Sequence, residues 1–318
     1  MRVRTEALGD KRLVAVGHGK IADILFERGD LDEALRIQRE VVLPAFEALG
    51  DKHQIAVTQG AIADILTLRG NLDEALRKRR EVVLPAFEAL GDKYSVAVTQ
   101  SQISEILFQR GDVDEALRIR REVVLPVHEA LGDKRSVAVS HGKIAEILYR
   151  RGDLDEALRI RRDVVLPTFE ALGDKHQIAV TQGKIADILF HRGDLDEALR
   201  IRREVVLPVF EALGDLDGCC QTNWQIARLI ASQGINSREK LDAVFSALAT
   251  AYDLALKVGR QDAIGFAGLD LGQFLAENGA KREARTVLEQ SYEAFNRLGN
   301  EPAMNAISKL IADLEKED

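Results

Sequence analysis

Apolar residues recur along this chain at the spacing of a helix face, and the whole pattern then repeats. Ile55, Ile62, Ala63 and Leu66 lie on one side of a helix expected over 52–69. Val82, Val83, Phe87 and Leu90 continue one stripe on a second helix expected over 72–90. Between them stands Gly70-Asn71-Leu72-Asp73-Glu74-Ala75. Close copies of it start at Gly29, Gly111, Gly152 and Gly193, at a constant step of about 41 residues, the size of one structural repeat. A second marker, Ala-Leu-Gly-Asp, keeps the same step at Gly9, Gly50, Gly91, Gly132, Gly173 and Gly214. Glycine suits the left-handed residue after a helix, because it has no Cβ. The Asp or Asn that follows is expected to cap the next helix, with Asp30 and Glu33 as a capping box. Each period therefore reads as two antiparallel helices, A then B.

A repeat of this length marks a solenoid, in which each unit buries its apolar face on its neighbours. The expected organisation is a truncated half-repeat over 1–10, five near-identical repeats over 11–214, two divergent ones over 215–300 and a capping helix over 301–318. In the divergent part, helices are expected over 216–233, 238–258, 260–277, 280–298 and 301–316. Ala303, Ile307, Leu310, Ile311 and Leu314 form one apolar stripe on the last. Because the chain opens in mid-repeat, it reads as a fragment of a longer protein or as an open end that pairs with something. Self-association through the uncapped face of residues 11–28 is an expectation on the second view.

Small residues mark where the helices cross: Ala22, Ala63, Ser104, Ala145 and Ala186 on helix A, and Ala34, Ala75, Ala116, Ala157 and Ala198 on helix B. Helix B also carries a proline well inside its pattern, at Pro44, Pro85, Pro126, Pro167 and Pro208. Proline removes one backbone hydrogen bond and crowds the preceding turn, so the helix must kink or break and restart. The continuous stripe around it favours a kink.

These features resemble the tetratricopeptide repeat family. They are the helix pair, the small residue at the crossing, Leu25, Leu66, Leu107, Leu148 and Leu189 one turn later, and the Gly-Asp-Leu-Asp-Glu-Ala turn. The usual period is about 34 residues, and the longer step is similar to the variant repeats of kinesin light chains and maltose-activator-type regulators. HEAT-like repeats also have this length, but the Asp-x-x-x-Ala turn speaks against them. The early helix-A aromatic is replaced by His18, Gln59, Gln100, His141 and Gln182. The helix-B aromatic is replaced by Gln38, Arg79, Arg120, Arg161 and Arg202. The resemblance implies an all-α, right-handed superhelical solenoid whose A helices line a concave, ligand-binding side.

Comparing the copies points to two ladders on helix A. Asp23, Asp64, Glu105, Glu146 and Asp187 form one; Phe26, Thr67, Phe108, Tyr149 and Phe190 form the other, three residues on. Gly19, Gly60, Ser101, Gly142 and Gly183 leave room beside them. This reads as an acidic, aromatic-edged groove for a protein or peptide segment carrying Lys or Arg and apolar anchors. The plainer reading pairs the acids with Lys20, Lys143 and Lys184 and puts the rings in the core. Arg36, Arg39, Arg77, Arg80, Arg118 and Arg121 read as surface ion-pair partners of helix-B acids such as Asp32 and Glu40.

The expected function is a protein-interaction scaffold or sensor. The alternative is the regulatory array of a larger signalling protein driven by a nucleotide switch. Net charge is −8, without the basic excess of a nucleic-acid binder. No apolar run of about 18 residues is present to span a membrane. No enzyme activity, cofactor or metal is expected: His18 and His141 stand three repeats apart, too far to share an ion. Cys219 and Cys220 are adjacent and read as core filler in a reducing, cytoplasmic setting. Arg28-Gly29-Asp30 is a helix turn, and Trp224 is expected in the core where the regular repeats end.

Overall fold

The computed structural model describes residues 2–316, with side chains from residue 11 to residue 314. It divides into two compact units, Met1–Asp153 and Leu154–Asp318. The first holds α1 (Arg2–Glu27), α2 (31–49), α3 (Lys52–Leu68), α4 (72–90), α5 (Lys93–Arg110), α6 (113–130) and α7 (Lys134–Arg151). The second holds α8 (154–172), α9 (Lys175–Arg192), α10 (195–213), α11 (Leu216–Ser232), α12 (Arg238–Val258), α13 (Gln261–Glu277), α14 (Lys281–Leu298) and α15 (Glu301–Lys316). No strand occurs among the described residues. The fold class is all-α and built from tetratricopeptide-like helix pairs.

Glycine closes each turn as the pattern implies. Gly50 sits at φ 65°, its N–H bonds Glu47 O, and the Asp51 N–H reaches back to Phe46 O. The first copy differs. α1 runs through Gly9 and Asp10, where the repeat leads one to expect a turn. In sequence, Thr5 occupies the position of Phe46, Phe87, Phe169 and Phe210, whose rings are buried. The side chains of residues 1–10 lie outside the described residues.

The two kinds of turn also cap differently from expectation. Asp51, Asp92, Asp133, Asp174 and Asp215 each accept the N–H three residues on and cap helix A. Asp30, Asn71, Asp112 and Asp194 make no such bond at the start of helix B. Their ψ is 57–59°, against 83–89° at the helix-A caps, which turns the side chain away from the free N–H groups. The capping box expected at Asp30 and Glu33 is therefore not formed, and Glu33 pairs with Arg36 instead, at 2.6 Å.

Helix B neither breaks nor restarts at its proline. In all five copies the turn before it is π-helical: Gln38–Val42, Arg79–Val83, Arg120–Val124, Arg161–Val165 and Arg202–Val206. The Leu43 N–H reaches Gln38 O, five residues back, and Leu84 reaches Arg79 O in the same way. Val42 and Leu43 stay right-handed helical, at φ/ψ −71/−51° and −59/−51°. The widened turn accommodates the proline ring and its missing N–H without ending the helix.

The crossing residues behave as their size demands. Ala34, Ala75, Ala116, Ala157 and Ala198 are fully buried, as are Ala63, Ala145 and Ala186. Ser104 replaces the last kind in the third repeat, and its hydroxyl donates to Ala116 O at 2.9 Å. Neighbouring repeats are pinned by a surface ladder the copies share. Arg69 meets Asp32, Arg110 meets Asp73 and Arg151 meets Asp114 in the first unit; Arg192 meets Asp155 in the second, at 2.9–3.1 Å. These aspartates are highly exposed, so each pair adds little stability and mainly marks register.

Beyond Gly214 the helices begin and end within a residue of the expected positions. Here α13 and α14 approach closely through Gly265, Gly268 and Gly272, which face Phe295, Ser291 and Leu288 of α14, and Gly268 also faces Tyr252 of α12. α15 buries Ile307 and Leu314 against α14, with Ala303, Leu310 and Ile311 half-buried around them.

Candidate ligand-binding face

The two helix-A ladders emerge on the side of helix A that also faces the middle of helix B. Stripe residues Ala75, Leu76, Val83 and Phe87 on helix B are all buried. Arg79 falls on the same stripe, so its guanidinium is buried too, with its side chain 3% exposed. It crosses to helix A and donates to Asp64 Oδ1 at 2.5 Å and Gly60 O at 3.2 Å. Arg202, 4% exposed, does the same with Asp187 and with Gly183 O. Arg120 reaches Ser101 and Ser104 instead and lies 3.7 Å from Glu105. Burial pulls the Arg120 pKa down, and Glu105 partly offsets this.

Two expectations change accordingly. The room left by Gly60 and Gly183 is taken by the arginine: a Cβ on Gly60 would stand 3.4 Å from Arg79 Nη1. The principal partners of Asp64 and Asp187 are these buried arginines rather than a lysine three residues earlier, although Lys184 lies 3.8 Å from Asp187. Buried charges need such partners, because desolvating an unpaired ion costs several kcal/mol. In the first repeat Gln38 takes the arginine's place and its buried Oε1 lacks a hydrogen-bond partner. Asp23 is exposed there, and partial burial followed by the nearby Glu27 raises its pKa.

In the first unit, Asp64, Glu105, Glu146, Phe26, Thr67, Phe108 and Tyr149 are all half-buried, and so are Asp187 and Phe190 in the second. The rings are thus not core. Adjacent A helices do bring their ladders together: Lys143 of α7 bonds Glu105 of α5 at 3.1 Å, and Arg150 lies over the Phe108 ring at 5.8 Å. In the second unit, Gly183, Lys184, Asp187 and Arg202 line one side of a cavity of about 90 Å³, faced by Gln221, Thr222 and Gln225 of α11.

The helix-B arginines outside this face pair at the surface. Arg36 bonds Glu33 and Glu40, whereas Arg39 and Arg80 reach Glu74 and Glu115 of the next repeat. Asp32 is drawn instead to Arg69.

The two cysteines are buried free thiols; burial raises both pKa values, that of Cys220 to about 11. Trp224 is only half-buried, a departure from the expected core position. Among the described residues no helix is long and apolar enough to cross a membrane. No cluster of His, Cys, Asp and Glu among them could hold a metal.

The tetratricopeptide repeat family model matches residues 144–163 and 186–204. No curated protein matches the sequence. Several solved structures share the fold. One is a signal transduction ATPase with a tetratricopeptide repeat sensor from Pyrococcus horikoshii, at TM-score 0.65 and 14% identity, covering 95% of this chain and 44% of that one. A Rap protein complexed with competence and sporulation factor gives 0.57 and 12%, over 95% and 98% of the two chains. A kinesin light chain from Podosopora anserina, described as having nearly identical TPR-like repeats, gives 0.51 and 17%, over 62% and 94%. The paired helices, the small residues at their crossings and the family match within the fourth and fifth repeats give this chain a tetratricopeptide-like repeat fold.

Proposed function

We propose that the chain is a protein-interaction scaffold or sensor whose helix-A face receives a partner segment bearing basic and apolar side chains. The observation that supports this most is the pairing of a carboxylate with a half-buried ring at i and i+3 in four of the five repeats, Thr67 replacing the ring beside Asp64. Buried arginine holds one oxygen of Asp64 and of Asp187, so the carboxylate is fixed before a partner arrives. The Asp64 side chain remains 44% exposed, leaving it open to a partner's Lys or Arg. In the first unit Phe26, Phe108 and Tyr149 supply the apolar contacts and Asp23, Glu105 and Glu146 complete the acidic ladder; in the second Phe190 does so beside Asp187. Preorganised acceptors of this kind lower the cost of ordering the site on binding.

The test is selection of displayed random peptides on the folded chain, followed by affinity measurement with Glu105→Lys/Glu146→Lys. Loss of affinity by about tenfold or more is expected, as for removal of charge partners at an interface. Unchanged affinity would sink the reading. A second reading, the regulatory array of a larger signalling protein, is favoured by the likeness to the signal transduction ATPase that carries a tetratricopeptide repeat sensor, of which the chain spans 44%.

Self-association belongs to the same proposal. Leu13, Val14, Ile21 and Ile24 are 70%, 58%, 49% and 56% exposed on α1. The residues one period later at the last two sites, Ile62 and Ile65, are 1% and 2% exposed. Light scattering over a concentration series is expected to show a dimer that Ile21→Glu/Ile24→Glu returns to monomer. A monomer at every concentration removes this part of the proposal.

A further inference from the structure

The helix-A register continues past the regular repeats into α11. Trp224 stands one full period after Gly183, and Arg228 one full period after Asp187. Both therefore fall in the register of Gly183 and Asp187 on helix A, within the same unit. What they bring is different in kind. The indole Nε1 of Trp224 donates to Asp270 Oδ2 of α13 at 2.7 Å. Phe266, one turn earlier on α13, lies 6.4 Å from the indole and is 45% exposed. Its far side rests edge-on against the fully buried Phe295, at 5.0 Å. The Arg228 guanidinium lies 4.9 Å from the centre of the Trp224 ring.

We propose that Trp224, Phe266 and Asp270 form an anchor for one cationic side chain, an arginine or lysine of a partner segment, and that Arg228 occupies it in the free protein. This rests on the reading of the helix-A face as the partner's path.

Three features select a cation. The face of an aromatic ring attracts positive charge, and tryptophan does so most strongly. The carboxylate at the ring edge supplies the opposite charge and locks the indole in place. Burial raises the pKa of Asp270, with the Trp224 hydrogen bond and Arg228 opposing it. Arg228 itself is exposed and sits one helical turn from Trp224, on a long side chain. It can leave by rotamer changes without moving the backbone, and it already demonstrates the chemistry the site accepts.

Trp224 is the single tryptophan of the chain, so its fluorescence reports on this site alone. The full chain is titrated with acetyl-Gly-Arg-Gly-amide and with the same peptide carrying citrulline, which keeps the shape and removes the charge. A saturable change with the arginine peptide is expected, and none with citrulline. Arg228→Ala should tighten binding by about threefold, and Asp270→Asn, which keeps an acceptor for the indole N–H, should weaken it by about tenfold. The proposal is overturned by equal responses to the two peptides. It is also overturned if neither the native chain nor Arg228→Ala saturates by about 50 mM, beyond the weak affinity such a contact would give. Selected peptides that bind through Glu105 and Glu146 yet ignore Asp270→Asn would retain the groove and remove the anchor. A charge-selective response at Trp224 without any groove-binding peptide would do the reverse.

Discussion

Asp187→Ala is expected to cost about 3 kcal/mol, the scale for stranding one member of a buried ion pair. The substitution removes few apolar contacts. Its effect comes from Arg202, whose side chain is 4% exposed and would lose the Asp187 carboxylate as its counter-charge while keeping the Gly183 carbonyl. Urea unfolding followed by Trp224 fluorescence reads the loss within the same unit. The double variant Asp187→Ala/Arg202→Met should recover most of it, because an apolar side chain of similar length needs no counter-charge. If Asp187→Ala changes stability by less than about 0.5 kcal/mol, typical of a surface substitution, the guanidinium is reaching water and the buried pair is not the organising contact. Binding measurements on this face should therefore use charge changes at Glu105 and Glu146, since the arginine beside Glu105 has serine partners as well.

Two glycines on helices of the second unit should respond with opposite sign to the same change. Gly272→Ala is expected to destabilise by about 2 kcal/mol through overpacking. A Cβ there would stand 2.6 Å and 2.7 Å from Leu288 side-chain atoms and 3.4 Å from Ala284 O. Leu288 is fully buried and has no room to withdraw. Gly183→Ala meets Arg202 Nη1 at 3.7 Å and Val206 Cγ1 at 4.0 Å, which are ordinary contacts. It should stabilise by roughly 0.5–1 kcal/mol through helix propensity alone. Thermal melts of the two variants against the native chain decide the matter. A stabilised Gly272→Ala would mean that α13 and α14 leave more space between them than these distances allow.

The repeat architecture is legible in the sequence because it is local. A helix face, a left-handed glycine and a small crossing residue each act within a few positions, and five copies report them. The helix boundaries and the buried alanines follow from this. The aspartates at the two turns look alike in sequence, yet only those before helix A cap. Their backbones differ, with ψ 58° at Asp30 and 83° at Asp51. That angle depends on how each turn packs, which no local signal records.

The candidate face is half legible. Comparing the copies finds the carboxylate and ring ladders but not their partners. One signal is present: Arg79 lies on the apolar stripe of helix B between Leu76 and Val83, so it has to be buried and to need an acid. Its acid, Asp64, stands on the other helix of the pair, and only the crossing of A over B brings them together. The π-turn at Arg79–Val83 is foreshadowed by Pro85, although the choice between kink, break and widened turn depends on what else holds helix B in place.

The sequence by itself determined the all-α class, the period, the helix pairs and the positions of their ladders, because these depend on backbone preferences and on burial at fixed spacing. Tertiary structure decided which charges face each other, that a guanidinium rather than a ligand lies over Gly60 and Gly183, and that Trp224 lies half-exposed beside Asp270. Those outcomes depend on contacts between side chains far apart in the chain, Arg79 with Asp64 and Trp224 with Asp270. The sequence marks that Arg79 needs an acid but not which acid meets it, because that contact has no local energy.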